Sequence, residues 1–197
     1  GFEADDVLGT IVEKYKKDKD LNIIIASGDM DTMQLIDDKK VRVYTLKKGI
    51  NDTILYDEDA VIERFHFKPK FLPDYKGLRG DPSDNIIGIK GIGEKTAETL
   101  IVKFGTIEEI YKKISAKDGP ASGGKSGEDL FKEAGISPRM IELLKNNEEE
   151  ALFSKTLATI RTDAPINFSL PAKTFWESAD FKKIEQVFAA FEFRSLL

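Results

Sequence analysis

The sequence changes character once, near residue 71, and that break constrains the fold more than any count of residues does. Before it, short β-branched apolar runs alternate with amphipathic stretches. LNIIIAS, beginning at Leu21, is apolar and ends in Gly28-Asp29, as a buried parallel strand handing over to a loop would. VRVYTL and TILY, separated by KKGIND, read as a second strand and a hairpin return, and DEDAVIERF reads as a helix. Ahead of them Val7, Leu8, Ile11, Val12 and Tyr15 recur at helical spacing, which predicts an amphipathic helix from about Glu3 to Lys17 with acids in its first turn. After the break only helical patterns remain: FLPDYKGLRG, GIKGIGEKTAETLIVKF, TIEEIYKKI, one or two helices in SPRMIELLKNNEEEALFSKTLATI, and a last amphipathic helix in ADFKKIEQVFAAF. KDGPASGGKSGED, rich in Gly, Ser and Lys, predicts an exposed, mobile loop. The expectation is an α/β protein: a mostly parallel central sheet over residues 1–70, and a helical lobe over residues 71–197.

The chain contains no cysteine and one histidine, His66. Disulfides, zinc-thiolate sites and cysteine nucleophiles are thereby excluded, and a metal site must be built from oxygen ligands. No apolar run approaches the ~20 residues of a membrane-spanning helix, and GFEADDV has neither the basic flank nor the apolar stretch of a secretory leader. A soluble, cytoplasmic protein with no membrane partner is expected. The formal charge of −5 runs against a phosphate-binding surface, but it is an average. Acids cluster in three short blocks, whereas Lys90, Lys95, Lys103, Lys112 and Lys113 carry the following segment, and hard cations on the acid blocks would leave the surface more basic.

The acid blocks are Glu3, Asp5 and Asp6 at a helix start, Asp29 and Asp31 just past the apolar strand, and Asp81 and Asp84 in GDPSDN. Each alone also fits an ordinary role: acids favour the first turn of a helix, form loops, or cap helices. Seven carboxylates on loops and helix starts, with no histidine or cysteine to compete, suit Mg²⁺ or Mn²⁺. Two such ions ~4 Å apart serve phosphodiester cleavage without a protein nucleophile, by generating hydroxide and stabilising the leaving oxygen.

The remaining constellation is Gly88-Ile-Lys90-Gly91-Ile92-Gly93-Glu-Lys95-Thr96, leading into the helix ETLIVKF. Glycines at this spacing permit positive φ and close backbone approach to a phosphate at a helix N-terminus, with Lys95 nearby. A plain connection between helices is the competing reading. DNA-backbone contact is expected from Gly88, Lys90, Gly91, Ile92, Gly93, Lys95 and Thr96, with Gly93 read as needing positive φ.

GFEADDVLGT, SGDMDTMQLI, LRGDPSDNIIGIKGIGEKTA and LATIRTD, in this order, resemble the 5′ nuclease (5′-3′ exonuclease and flap endonuclease) domain of bacterial DNA polymerase I, over the whole chain. The resemblance implies a PIN-like 5′ nuclease fold with a helix-three-turn-helix DNA-binding lobe, of which Gly88 to Thr96 form the hairpin part. It implies that Glu3, Asp5, Asp6, Asp29, Asp31, Asp81 and Asp84 match the family's metal cluster, some directly and some through water, with Asp6, Asp29, Asp31, Asp81 and Asp84 as the catalytic set. It implies two Mg²⁺ or Mn²⁺ ions, a K⁺ ion at the hairpin, a 5′-flap or nicked DNA duplex as partner, a polymerase domain in the same polypeptide, and residence with the bacterial nucleoid. Ile87 stands where the family usually has proline, which removes no ligand. A first strand bearing another metal-binding aspartate, and a basic arch, would precede Gly1 in such a protein. The expectation for the chain as it stands is therefore impaired cutting and an exposed sheet edge or apolar groove at LNIIIAS. A non-catalytic duplex- or flap-binding module is the alternative function. His66 is expected at the surface or an interface, Phe175 and Trp176 in packing against the last helix, and Lys16, Lys17 and Lys19 at a solvated helix end.

Overall fold

A computed structural model describes residues 1–47, 52–116 and 126–196. Residues 1–166 pack as one unit and residues 167–197 as another. In the first unit, helix α1 (Ala4–Tyr15) precedes strand β1 (Ile23–Ala26), a 3-10 turn (Met30–Leu35), strands β2 (Val41–Leu46) and β3 (Thr53–Tyr56), and helix α2 (Glu58–Phe65). Helices α3 (Leu72–Arg79), α4 (Glu94–Phe104), α5 (Ile107–Ile114), α6 (Gly127–Glu133), α7 (Pro138–Lys145) and α8 (Glu148–Ala158) follow. The second unit holds the short α9 (Phe175–Ser178) and α10 (Phe181–Ala190). The break near residue 71 falls inside the first unit, whose core runs without interruption from Ile25 and Val43 through Leu72 and Leu78 to Leu100 and Leu144.

The sheet has the order β1-β2-β3, parallel between β1 and β2 and antiparallel between β2 and β3, with Ile25 opposite Val43 and Thr45 opposite Ile54. Alternation puts Ile25, Val41, Val43 and Thr45 into the core. The opposite face carries Ile24, Tyr44, Leu46 and Leu55, all exposed. The burial expected for LNIIIAS therefore holds on one face only, because no described element covers the other, and β1 is an edge strand as anticipated. The KKGIND connection falls largely outside the described residues, as does most of KDGPASGGKSGED. Its end departs from the expected loop: Gly127, Glu128 and Asp129 form the first turn of α6. The Ser126 hydroxyl accepts from the Asp129 amide at 3.3 Å, and Phe131 stacks on Phe104 with ring centroids 4.0 Å apart, so a cap and a buried aromatic override the local glycine content.

Helix α3 is the hub of the helical part. Asp74, only 2% exposed, accepts from the Ile107 amide at the start of α5 (2.8 Å) and pairs with Lys155 of α8 (2.7 Å). His66 ends α2 in the left-handed conformation and meets Glu98 of α4 at 2.9 Å with its side chain 64% exposed, a surface position as expected. Trp176 stacks on Phe181 of α10, ring centroids 5.9 Å apart. Among the described residues no helix is long and apolar enough to cross a membrane.

Candidate metal centre and nucleic-acid interface

The three acid blocks arrive from different elements. Glu3 is the N-cap of α1, and Asp5 and Asp6 lie in its first turn. Asp29 caps the 3-10 turn after β1, accepting from the Asp31 amide at 2.9 Å, so one carboxylate fixes the backbone that presents the next. Asp81 caps the 3-10 turn Pro82–Asp84 in the same way through the Ser83 amide, and the turn is closed by paired backbone bonds between Asp81 and Ile86 of 2.8 and 2.9 Å. Glu3, Asp5, Asp6, Asp29, Asp31 and Asp84 line one cavity of about 440 Å³, whose far wall is the segment Thr156–Arg161. Asp81 lines an adjoining cavity together with Asp29, Asp31 and Asp84. Carboxylate oxygens of Asp31, Asp81 and Asp84 lie within 4.8 Å of one another, a set of hard oxygen donors that fits a divalent cation such as Mg²⁺.

Electrostatics mark the cavity. Burial, then the neighbouring Asp29, Glu3, Asp6 and Asp84, push the Asp5 carboxyl up. Burial lifts Asp31 to about 6 against the opposing pull of Lys76. Burial also acts on Asp81, but there the bonds from Lys76 and Ser83 prevail and hold it below the usual carboxylate range. For Lys76 itself, the carboxylates of Asp31 and Asp81 outweigh burial and favour the ammonium.

Asp6 is engaged differently from the others. Its Oδ2 accepts from the Glu3 amide at 3.0 Å and its Oδ1 from the Arg161 amide at 2.9 Å. It thus joins α1 to the LATIRTD segment, leaving lone pairs for a water. Two further side chains hold the same stretch: Thr10 of α1 accepts from the Ala164 amide (2.9 Å), and the carboxamide of Gln34, on the 3-10 turn after β1, donates to the Ala158 carbonyl (3.0 Å) while accepting from the Ile160 amide (2.9 Å). Sequence reading missed Lys76, Thr10 and Gln34. Lys76 carried one weak signal, a lysine on the helix that runs directly into GDPSDN; the other two carried none.

In the glycine hairpin, positive φ occurs at Gly88 (62°) and Gly91 (106°), not at Gly93. Gly93 is extended, with φ −94°, and caps α4, so the expected need for positive φ there is corrected: the reversal of direction is complete before the helix begins. No side chain caps α4, leaving its first amides without intrahelical acceptors. Lys90, Gly91, Gly93 and Lys95 are exposed and Thr96 is half-buried. Ile92 is 4% exposed, its side chain in the core, so only its backbone can face a ligand. Gly88 is buried, its amide donating to the Ser154 hydroxyl at 3.0 Å.

Comparison with known proteins adds an independent line. The chain is 36% identical over 196 residues to DNA polymerase I of Bacillus caldotenax, covering 100% of this chain and 20% of that protein. It is 37% identical over 191 residues to DNA polymerase I of Bacillus subtilis (strain 168), covering 97% and 19%. It thus spans roughly a fifth of the length of these curated relatives. Its fold is similar to solved structures of the phage T5 5′-exonuclease with bound divalent metal ions (zinc), at TM-score 0.58 and 23% identity over 80% of this chain and 50% of that one. The T5 flap endonuclease in a pseudo-enzyme-product complex with DNA and metal ions is similar at TM-score 0.60 and 23% identity, covering 82% and 51%. Residues 1–66 match the family described as 5′-3′ exonuclease, N-terminal resolvase-like domain, and residues 67–182 match 5′-3′ exonuclease, C-terminal SAM fold. The first match contributes Glu3, Asp5, Asp6, Asp29 and Asp31 and the second Asp84, so the acid-lined cavity is assembled from both, and the chain belongs to the 5′-3′ exonuclease family.

Proposed function

We propose that this chain is the metal- and DNA-binding part of a structure-specific 5′-3′ exonuclease and 5′-flap endonuclease of DNA replication and repair, primer removal included. The observation that carries the reading is the convergence of six acids from three separate segments on one cavity. Unpaired, such a concentration of negative charge repels a phosphodiester, and oxygen-only donors match hard divalent cations. Asp31, Asp81 and Asp84 would hold one ion, with Glu3, Asp5 and Asp29 lining the cavity toward a second, Mg²⁺ or Mn²⁺ in both cases. Such ions supply Lewis acidity for attack of water on phosphorus and for departure of the leaving oxygen. Asp6 positions α1 against Arg161, and Asp29 orients Asp31 by accepting from the Asp31 amide.

The partner is a flapped or nicked DNA duplex, held at the start of α4 by free backbone amides and by Lys90 and Lys95, with Gly91 and Gly93 permitting close approach. Carbonyls of the same turn suit a K⁺ ion bridging to phosphate. The name of the curated relatives, DNA polymerase I, supports a native polypeptide that also carries a polymerase and acts at the bacterial nucleoid. The division at about residue 70 is a functional one: the lobe before it brings Glu3, Asp5, Asp6, Asp29 and Asp31, and the lobe after it brings Asp81, Asp84 and the DNA-holding hairpin.

The test scores binding and cutting of a 5′-flap duplex separately, in EDTA and in Mg²⁺. In the full-length protein, cutting that requires Mg²⁺, and that is abolished by Asp29→Asn and by Asp84→Asn while duplex binding persists, is expected. Both variants cutting normally in Mg²⁺ would overturn the assignment, and binding with no cutting under any metal would favour the non-catalytic module.

A further inference from the structure

Lys76 sits on α3 one turn before Gly80, with its side chain only 14% exposed. Its Nζ contacts Asp31 Oδ1, Asp81 Oδ2 at 2.6 Å and Asp84 Oδ2 at 3.3 Å, the same three carboxylates whose oxygens converge. Among the described residues no other cation pairs with these three. Arg79 is committed to Glu94 at 3.0 Å, and Arg64 donates to the Tyr56 hydroxyl at 2.9 Å. An ammonium has three donors and here meets three acceptors, so the site is internally paired. A divalent ion bound by the same three oxygens would need the space the ammonium fills. It would also neutralise two negative charges where the ammonium neutralises one.

We propose that Lys76 is a resident counter-cation of the metal centre: it holds Asp31, Asp81 and Asp84 together without metal and has to be displaced for a divalent ion to take all three. The inference rests on the metal-site reading above. It makes metal uptake an exchange of cations rather than the filling of a vacant seat. Metal affinity is then set by competition with Lys76 as much as by the carboxylates. The acids need not fly apart in the absence of metal, because one half-buried positive charge already offsets their repulsion.

Mn²⁺ binding is measured by calorimetry on the parent, on Lys76→Met, and on Lys145→Met, which removes an exposed pair with Glu128 elsewhere on the surface. Removing the ammonium that competes for the ion's seat should tighten Mn²⁺ binding about 10-fold or more, with Lys145→Met unchanged. A second measurement needs no variant, should Lys76→Met unfold without metal. Acylation of Lys76 by an amine-reactive ester, read by peptide mass spectrometry, is expected to be slow in EDTA and to rise severalfold once Mn²⁺ is bound. A parent that takes up no Mn²⁺ overturns the metal-site reading and this inference with it. A parent that binds Mn²⁺ while folded Lys76→Met binds it no more tightly, or while Lys76 stays as protected as before, overturns the counter-cation role alone.

Discussion

Replacing Gly88 by alanine isolates the geometry that joins the acid block to the hairpin. Gly88 has φ +62°, and a Cβ there would stand 2.1 Å from the Gly80 nitrogen and 2.6 Å from its Cα. The obstacle is backbone, which cannot swing aside as a long side chain would. The left-handed conformation itself costs alanine about 1–2 kcal/mol. Relieving the overlap separates Gly88 from Gly80 and strains the buried bond from the Gly88 amide to Ser154, fully buried on α8, whose loss adds about 1–3 kcal/mol. Together these predict a loss of about 2–5 kcal/mol, or a Tm lower by on the order of 10 °C for a chain of this size. Gly93→Ala is the control. Gly93 has nothing within 4 Å of its ideal Cβ and an ordinary φ of −94°, so stability should stay within ~0.5 kcal/mol of the parent while affinity for a flap duplex falls. Urea and thermal unfolding, with duplex binding at fixed moderate salt, measure both. Gly88→Ala within ~1 kcal/mol of the parent, or Gly93→Ala equally damaging to stability, would refute the reasoning.

Three further outcomes are expected. Asp74→Ala leaves Lys155 and the Ile107 amide without their buried acceptor and should cost about 3–5 kcal/mol in urea unfolding, whereas adding Lys155→Met should cost less than the two singles summed; strict additivity would contradict a coupled pair. With Asp31 lifted from 3.8 to about 6, the native metal-free chain keeps a proton that the unfolded chain has lost, so its stability should fall as pH rises between those values and level off above, by no more than about 3 kcal/mol. Asp31→Asn should abolish that slope. Asp81, held below 3.8, gives the opposite dependence only at lower pH, where stability is lost as pH falls. Lys95→Ala should weaken binding to every duplex sequence alike and flatten the dependence on salt, and a loss confined to particular sequences would contradict a phosphate contact.

The acid blocks were legible because residue type alone restricts their chemistry, and the helices because periodicity and caps coincide, as at Asp57, Thr106 and Ser137. What escaped was set at long range. The φ of each hairpin glycine follows from where α3 and α8 pin the turn, so spacing alone misassigned the left-handed position to Gly93. Lys76 looks like any helix lysine until α3 packs beneath the 3-10 turns that carry Asp31 and Asp84. Burial on one face of β1 only is likewise invisible in IIIA, where no polar residue marks the open face.

The backbone bonds made by Gln34 span 124 and 126 residues, and the one from Arg161 to Asp6 spans 155. On a ribosome adding about 5–20 residues per second, the acids of α1 wait on the order of ten to thirty seconds for that partner to be made. For that interval the nascent chain carries the first two acid blocks with no far wall to close against. A chain ended at Leu152 should therefore exchange its α1 amides freely with deuterium, and protection of α1 in such a chain would show that closure does not depend on the clamp. A cavity closed by its own downstream segment is complete only after synthesis has passed that segment.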